Sequence, residues 1–214
     1  MEQLTPFEAD IAKELINIGL AKAADKLAFF TGEKMLLRSF DFGLYHLDDL
    51  EQVSSKQGDS VHVLLTQIHG DLAGLCCLLF SEQDVDKLLE LTLPASVLKD
   101  EAQRAEMGEA ILLEVDNIIT AAVVTQFANL LPYNLFGGVP YLHRMPHEAI
   151  PDFVKMQPDT QPFMLYFRTS FLGESTEIAP EFVWLLSYRF IEGVRTLVQD
   201  QVQNAMDQLK SNND

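Results

Sequence analysis

The N-terminal segment places its apolar side chains at helical spacing. They recur along two neighbouring stripes, Phe7, Ile11, Leu15 and Ile18, and Ile16, Leu20, Ala24 and Leu27. Thr5 precedes Pro6 and is followed three residues later by Glu8, the pattern of a capping box with proline at the first helical position. Gly32 is a typical C-cap. The pattern therefore predicts a helix that begins after Thr5 and ends at Gly32.

The next residues favour strands and two short helices. A partial alternation predicts a strand over residues 35–47 (MLLRSFDFGLYHL), and DDLEQV after it predicts a short helix. Two β-rich runs, SVHVLLTQIHG and DLAGLCCLLF, meet at Gly70-Asp71 and predict a hairpin. The second run is apolar on both faces, so we expect it to be a central strand. SEQDVDKLLELTL then predicts a capped helix.

The pattern restarts after Pro94. Asp100 can cap a long helix over about residues 101–131, which is followed by a strand near 135–145 and a short helix near 147–155. Two further strands, PFMLYFRTSF and PEFVWLLSY, precede a final helix that starts near Arg189. The end of this helix is polar, and we expect it to fray.

The order helix, strand, short helix, strand, strand, helix thus occurs twice, which predicts an internal repeat. Repeat one covers about residues 5–95, repeat two covers about 100–200, and residues 201–214 form a polar tail. Antiparallel hairpins with helices on one side are typical of the α+β class. We therefore expect one α+β domain over residues 1–214. Its two halves join their strands into a single sheet about a pseudo-two-fold axis and hold their first helices side by side.

Composition narrows the cellular setting. Hydrophobic residues make up 48 % of the 214 residues, enough for a real core, and no uninterrupted apolar run reaches the ~18–20 residues that span a bilayer. The N-terminus lacks the basic and apolar regions of a signal peptide. Adjacent residues of a strand face opposite sides, so Cys76 and Cys77 cannot form an ordinary disulfide. These features predict a cytoplasmic protein with reduced thiols and no membrane segment.

The formal charge of −17 argues against nucleic acid and membranes as partners and suits a protein with a basic surface. A strongly acidic surface repels phosphate backbones and anionic lipids, so we expect neither nucleic acid nor membrane as a partner. Such a charge keeps a protein soluble, and it also suits a partner with a basic patch.

Two Glu-x-x-Asn pairs occupy matching places in the repeats. Glu14 and Asn17 lie in ELINIG, and Glu114 and Asn117 lie in EVDNII, 100 residues later. Within a helix each pair shares one face. This face is either the solvated edge of an amphipathic helix or a site, and the recurrence strengthens the second interpretation. A non-titrating Asn can hold a water molecule in line with an electrophile, and a Glu can pair with a Lys.

At these residues the sequence resembles the CheC/CheX/FliY family of response-regulator phosphatases. ELINIGLAKAADKLA is close to the family's E-L-x-N-I-G-x-G-x-A-A-x-x-L, and 22 residues separate Asn117 from Pro140, as in the family's signature of an acidic residue or Ser, x3, Glu, x2, Asn, x22, Pro. The resemblance covers about residues 5–200. Two sites in one chain are more like CheC than like CheX, which has one.

Each copy of the signature departs from it at one supporting position. The first copy has the upstream acid, Asp10, but Phe40 at the proline position. The second copy has Pro140 but Ala110 at the acidic position. We therefore expect both sites to function, with unequal rates.

The resemblance implies a reaction and a partner. The substrate would be a phosphorylated CheY-type receiver domain carrying an aspartyl phosphate and Mg²⁺. Asn17 or Asn117 would orient the attacking water, and Glu14 or Glu114 would pair with the receiver's active-site Lys. This chain would then need no cofactor or metal of its own. Two alternatives stay open: a non-catalytic adaptor that binds receivers or flagellar switch components, and a protein that mainly binds a CheD-type deamidase.

Other candidate sites are weak. His143 and His147 are four residues apart, but Pro146 interrupts any helix between them, and a zinc site needs three or four converging ligands. FGGVP at residues 136–140 lacks the Lys and Ser/Thr of a phosphate-binding loop. The two cysteines are interpreted as core residues.

Overall fold

The computed structural model describes residues 4–53, 60–158, 163–174 and 176–211. The first half contains, in chain order, α1 (Pro6–Thr31), β1 (Leu36–His46), α2 (Leu50–Val53), β2 (Val61–Gly70), β3 (Gly74–Ser81), α3 (Glu82–Thr92) and α4 (Ala95–Leu98). The second half contains α5 (Glu101–Leu130), β4 (Leu135–Gly137), β5 (Tyr141–Met145), α6 (Ile150–Lys155), β6 (Phe163–Leu172), β7 (Glu177–Ile178), β8 (Glu181–Leu186) and α7 (Arg189–Ser211). A 3₁₀ turn precedes α2 and another precedes α6.

Local signals set both ends of α1. The backbone N–H of Thr5 donates to Glu8 Oε2 at 2.6 Å, and the Glu8 N–H donates to Thr5 Oγ1 at 3.3 Å. These two bonds form the predicted capping box and satisfy donors that the first turn of a helix leaves open. At the other end Gly32 has φ +76°, a left-handed conformation that favours glycine. Both predicted helix boundaries are confirmed.

All strand pairs are antiparallel and belong to one sheet. The order is β1-β6-β8-β3-β2-β4, with β5 also on β2 and β7 on β6. β3 and β8, the last strands of the two repeats, pair at the centre, as the apolar pattern of β3 predicts. The first strand of each repeat pairs instead with the other repeat: β1 with β6, and β4 and β5 with β2. The predicted α+β architecture of two pseudo-symmetric repeats is confirmed.

The helices cover the two faces of the sheet unequally. Apolar residues of α1 and α5 pack with one set of strand side chains, among them Leu64 and Cys76. The short helices α2 and α6 pack on the opposite face, where Val63 and Cys77 lie. The alternation of strand residues thus places the two free, buried thiols on opposite faces, as predicted. The two motif-bearing helices lie on one face of the sheet.

The strand predicted over residues 135–145 is divided. β4 and β5 both pair with β2, and residues 138–140 connect them. Pro140 has no N–H to donate to a sheet ladder, which accounts for the interruption. In repeat one the register of β1 shifts between Ser39 and Phe42, at the matching position, without dividing the strand.

Three further details differ from the sequence pattern or lie outside the description. α4 and β7 were not predicted, because four and two residues are too few to show a period. α7 continues as helix through Ser211. Residues 212–214 of the predicted tail, and the start of the strand predicted from Pro162, lie outside the described residues.

By length and composition α5 could cross a bilayer. Its most apolar window is 56 % buried inside the protein, however, because α5 packs against α1 and the sheet. This burial is typical of the core helix of a soluble domain.

Candidate functional site

α1 and α5 lie side by side and touch at Gly19 and Val123. A Cβ placed on Gly19 would lie 2.8 Å from Val123 Cα, so the backbones approach closely because glycine has no side chain here. On either side of this contact the helices bury apolar side chains: Leu15, Leu20 and Ala23 on α1, and Val115, Ile119 and Ala122 on α5. The prediction that the two motif-bearing helices are neighbours is confirmed.

The Glu-x-x-Asn pairs lie on the solvent-facing sides of these helices. Glu14 is exposed and Asn17 is half-buried, and Glu114 and Asn117 are both exposed. Within the described parts of the chain, the side chains of Glu14, Glu114 and Asn117 make no hydrogen bond or ion pair. Burial of either Glu-x-x-Asn pair against the sheet would have closed that site to a partner. Neither pair is buried in this way. Both pairs are accessible to another macromolecule.

The supporting residues differ between the two sites. Asp10 is exposed on α1, one turn before Glu14, whereas the exposed Ala110 takes that place on α5. Pro140 is half-buried in the connection between β4 and β5. The matching residue of repeat one, Phe40, lies within β1, and its side chain is outside the described residues. The departures from the signature at Ala110 and Phe40 are differences in sequence, and the roles of the supporting residues stay predictions.

The buried carboxyl of Asp116 is a feature that the sequence did not single out. Asp116 lies between Glu114 and Asn117 in the sequence, and its exposed fraction is 0 %. Thr66 Oγ1 of β2 donates to Asp116 Oδ2 at 2.6 Å, and Thr120 Oγ1 of α5 donates to Oδ1 at 3.3 Å. Burial raises the pKa of Asp116 from 3.8 to about 6, and the hydrogen bonds from Thr66 and Thr120 oppose that rise. The available signal was Thr120, four residues later in the largely apolar stretch between Ala110 and Val124.

Metal binding has little support in the described ranges. Those residues contain no group of three or more His, Cys, Asp or Glu side chains that could hold a metal ion. His143 lies on β5 and contacts the ring of Phe153, with ring centroids 4.7 Å apart, while His147 starts the 3₁₀ turn before α6. The structure does not bring this pair together with a third ligand.

Sequence comparisons identify no relative. No protein-family model matches the chain, and no curated protein matches it either. Structural comparison does find proteins of the same fold. FliY of Thermotoga maritima superimposes with a TM-score of 0.70 at 17 % identity, covering 93 % of this chain and 99 % of that one.

Two further solved structures have related folds. FliM of H. pylori, solved in complex with SpeE, has a TM-score of 0.62 at 6 % identity and covers 94 % of this chain and 97 % of its own. CheX of Borrelia burgdorferi, solved in complex with CheY, BeF₃ and Mg²⁺, has a TM-score of 0.52 at 15 % identity and covers 80 % and 97 %. The finer expectation that CheC is the most similar relative stays a prediction. The chain has the fold of the FliY, FliM and CheX proteins, as its resemblance to the CheC/CheX/FliY family implies.

Proposed function

We propose that this protein is a phosphatase that hydrolyses the aspartyl phosphate of a CheY-type receiver domain. One observation carries the proposal: two Glu-x-x-Asn pairs face solvent on adjacent helices of a fold related to FliY and CheX. A single exposed pair would be an ordinary helix edge. Two pairs at matching positions, both open to a partner, fit a site that works on another protein.

Asn17 and Asn117 supply the water-orienting group. A side-chain amide has one acceptor and two donors and stays neutral over the physiological pH range. Held beside the phosphoryl group, its oxygen accepts a hydrogen bond from a water molecule and aims that water at phosphorus, opposite the aspartyl oxygen. The water–phosphorus bond forms as the bond to the aspartyl oxygen breaks, which yields inorganic phosphate and a free aspartate. Positioning of this kind lowers the barrier without a nucleophile in this chain.

Glu14 and Glu114 supply the docking contact. An exposed carboxylate one turn from the Asn can pair with a Lys beside the receiver's phosphorylation site and so fix the pose of the amide. The net charge of −17 favours approach to a basic surface. In this proposal the phosphoryl group, the Lys and Mg²⁺ all belong to the receiver, and the protein acts in the cytoplasm in chemotaxis or two-component signalling.

The structural relatives support this partner. The CheX relative was solved with CheY, BeF₃ and Mg²⁺, so a protein of this fold binds a receiver in that state. The identity of 15 % limits this argument to the fold. The residues of the two Glu-x-x-Asn pairs therefore carry the catalytic part of the proposal.

Receiver dephosphorylation provides the test. The wild type is added to a phosphorylated CheY-type receiver, and the rate of phosphate loss is compared with those of Asn17→Ala, Asn117→Ala and the double variant. We expect each single variant to keep part of the activity and the double variant to fall to the receiver's own rate, a loss of about 10²-fold or more. Asn129→Ala, exposed on α5 away from the pair, is the matched control and keeps the wild-type rate. A double variant as fast as the wild type would refute the catalytic assignment.

A second candidate function is a non-catalytic adaptor. The FliM relatives favour it, because FliM of H. pylori has the same fold and was solved in complex with SpeE. In this case the protein binds a receiver, flagellar switch components or a CheD-type deamidase without hydrolysis. Tight binding of phosphorylated receiver with no faster phosphate loss supports the adaptor. Binding of a CheD-type deamidase is measured separately by calorimetry.

A further inference from the structure

The second site contains a buried carboxyl group that the proposed reaction does not use. Asp116 immediately precedes Asn117 on α5 but points into the protein. Its hydrogen-bond partners are the hydroxyls of Thr66 and Thr120, and among the described residues no cation pairs with it. A buried carboxyl without a cation is costly, so its presence calls for a local explanation.

The first repeat shows that the fold does not require this carboxyl. The matching residue on α1 is Ile16, which is buried among apolar side chains. An apolar residue therefore suffices to pack a motif-bearing helix on this sheet. The free-energy cost of burying a carboxyl at position 116 therefore arises only at the second site. Buried polar groups can impose one arrangement on the elements that they join.

Asp116 lies at a junction of three elements. Its hydrogen bond from Thr66, which lies 50 positions earlier in the chain, joins α5 to β2. β4 packs onto the same junction, because a Cβ on Gly137 would lie 3.7 Å from Thr66 Cγ2 and 4.0 Å from Thr120 Cγ2. Three residues after Gly137 comes Pro140, the supporting residue of the second signature. The junction thus links the helix that carries Asn117 to the strand that leads to Pro140.

We propose that Asp116 is a positioning residue of the second site, which through Thr66 and Thr120 holds Asn117 in a fixed relation to the β4–Pro140 segment. The inference rests on the proposed function, since it assigns a role within the second of its two sites. It also accounts for the asymmetry between the repeats. The second site lacks the upstream acid but contains a hydrogen-bonded anchor, and the first site contains Asp10 with an apolar Ile16 behind it.

Protonation of Asp116 alters this junction. The ionised carboxylate accepts from both threonines, whereas the neutral acid has one donor and must rearrange one of those bonds. The titratable groups near it on β3 are Cys76 and Cys77, whose pKa values are raised chiefly by burial, so both thiols stay neutral between pH 5 and 8. On β2, the ionisable side chain of His69 lies against Phe136 of β4, with ring centroids 5.5 Å apart, so it needs its own control.

The kinetic test isolates one site at a time. Asn17→Ala leaves only the second site, and Asn117→Ala leaves only the first. In the Asn17→Ala background we expect Asp116→Ile to lower the maximal rate at saturating phosphorylated receiver at least tenfold, with little change in the half-saturating concentration. Asp116→Asn, which keeps the shape and accepts one hydrogen bond, restores part of that rate. In the Asn117→Ala background the same substitutions change the first site's rate less than twofold.

Two kinetic results would overturn the inference. Equal losses in both backgrounds would mean that Asp116 supports the whole fold and not the second site. An unchanged second site in Asp116→Ile would mean that the junction does not position Asn117. If neither background is active even with Asp116 present, the proposed function itself fails, and the following measurement decides the positioning role without it.

Side-chain amide resonances report on the junction directly. In ¹⁵N-labelled protein we expect the Asn117 NH₂ signals to shift between pH 5 and 7.5 in step with Asp116, while the Asn17 signals stay in place. Asp116→Asn abolishes this shift, and the control His69→Gln retains it. A shift of equal size at Asn17, or one that survives in Asp116→Asn, would contradict the positioning role.

Discussion

Gly19 of α1 meets the backbone of Val123 of α5, with only 2.8 Å between the position of a Cβ and Val123 Cα. Real Cβ atoms do not approach a backbone carbon so closely, so the helix spacing depends on this glycine. Asn17 lies two residues before the contact on one helix, and Asn117 lies six residues before it on the other. The relation between the two proposed sites is therefore set at this contact.

Gly19→Ala should destabilise the protein even though alanine favours helices. The added methyl group displaces backbone, at a cost of about 1–3 kcal/mol, against about 1 kcal/mol of helix propensity gained. Gly108→Ala is the matched control, because the three atoms nearest to its Cβ would all belong to the Leu89 side chain, the closest at 3.0 Å, and a leucine side chain can rotate away. Denaturant unfolding of both variants measures the difference. A Gly19→Ala protein at least as stable as Gly108→Ala would show that the helices are not packed this closely.

The sequence predicts local features better than contacts between distant residues. Thr5 and Gly32 delimit α1 because capping is decided within a few residues. The repeat order and the exposed faces follow from hydrophobic periodicity in the same way. The role of Asp116 could not be predicted from its neighbours in sequence, because its shortest hydrogen bond comes from Thr66 on another element. The division of the strand at Pro140 could have been predicted from the missing N–H of the proline.

Asp116 should make stability depend on pH near neutrality. Its pKa is raised to about 6 from 3.8 by burial, against the hydrogen bonds from Thr66 and Thr120. The folded protein holds this proton more tightly than the unfolded chain. The stabilisation that this raised pKa gives to the folded protein is therefore fully present below pH 3.8 and is lost as the pH rises through 6. Relative to Asp116→Asn, the wild type should lose about 1.4 kcal/mol of unfolding free energy between pH 5 and 7.5.

Urea unfolding of the wild type and of Asp116→Asn between pH 5 and 7.5 measures this difference in unfolding free energy. Other carboxylates contribute equally to the two proteins and cancel in the difference. A difference that stays flat between pH 5 and 7.5 would mean that Asp116 has an ordinary pKa, and a difference of opposite sign would mean that it is ionised more readily in the folded protein.

The two cysteines should be inert in the folded protein. Burial is the main cause that raises the pKa of both Cys76 and Cys77, and the charge of Asp116 adds to it. Because the thiolate is the reactive form and neither sulfur is accessible, Ellman's reagent should not react at pH 8 until the chain unfolds. Denaturant should then release both thiols together. Thr125→Cys, exposed on α5, is the positive control and should react at once, whereas rapid labelling of the native wild type would contradict the buried assignment.

Restoring the missing acid should improve the second site. Ala110 is exposed one turn before Glu114, so Ala110→Asp adds a carboxylate on the same face at a cost of about 0.2–0.5 kcal/mol from like-charge repulsion. If Asp10 helps the first site to hold a basic receiver surface, Ala110→Asp in the Asn17→Ala background should lower the half-saturating receiver concentration about two- to tenfold. Asp10→Ala in the Asn117→Ala background should raise it by a similar factor.

Salt and a charge-matched control separate docking from a general change in charge. Both effects should shrink as ionic strength rises, because exposed charges are screened over about 8 Å at physiological salt. Asn129→Asp adds the same charge on another part of α5 and should leave the half-saturating concentration nearly unchanged. An equal gain from Asn129→Asp would trace the effect to net charge. A gain from Ala110→Asp that persists at high salt, with a higher maximal rate, would place the acid in the chemical step and not in docking.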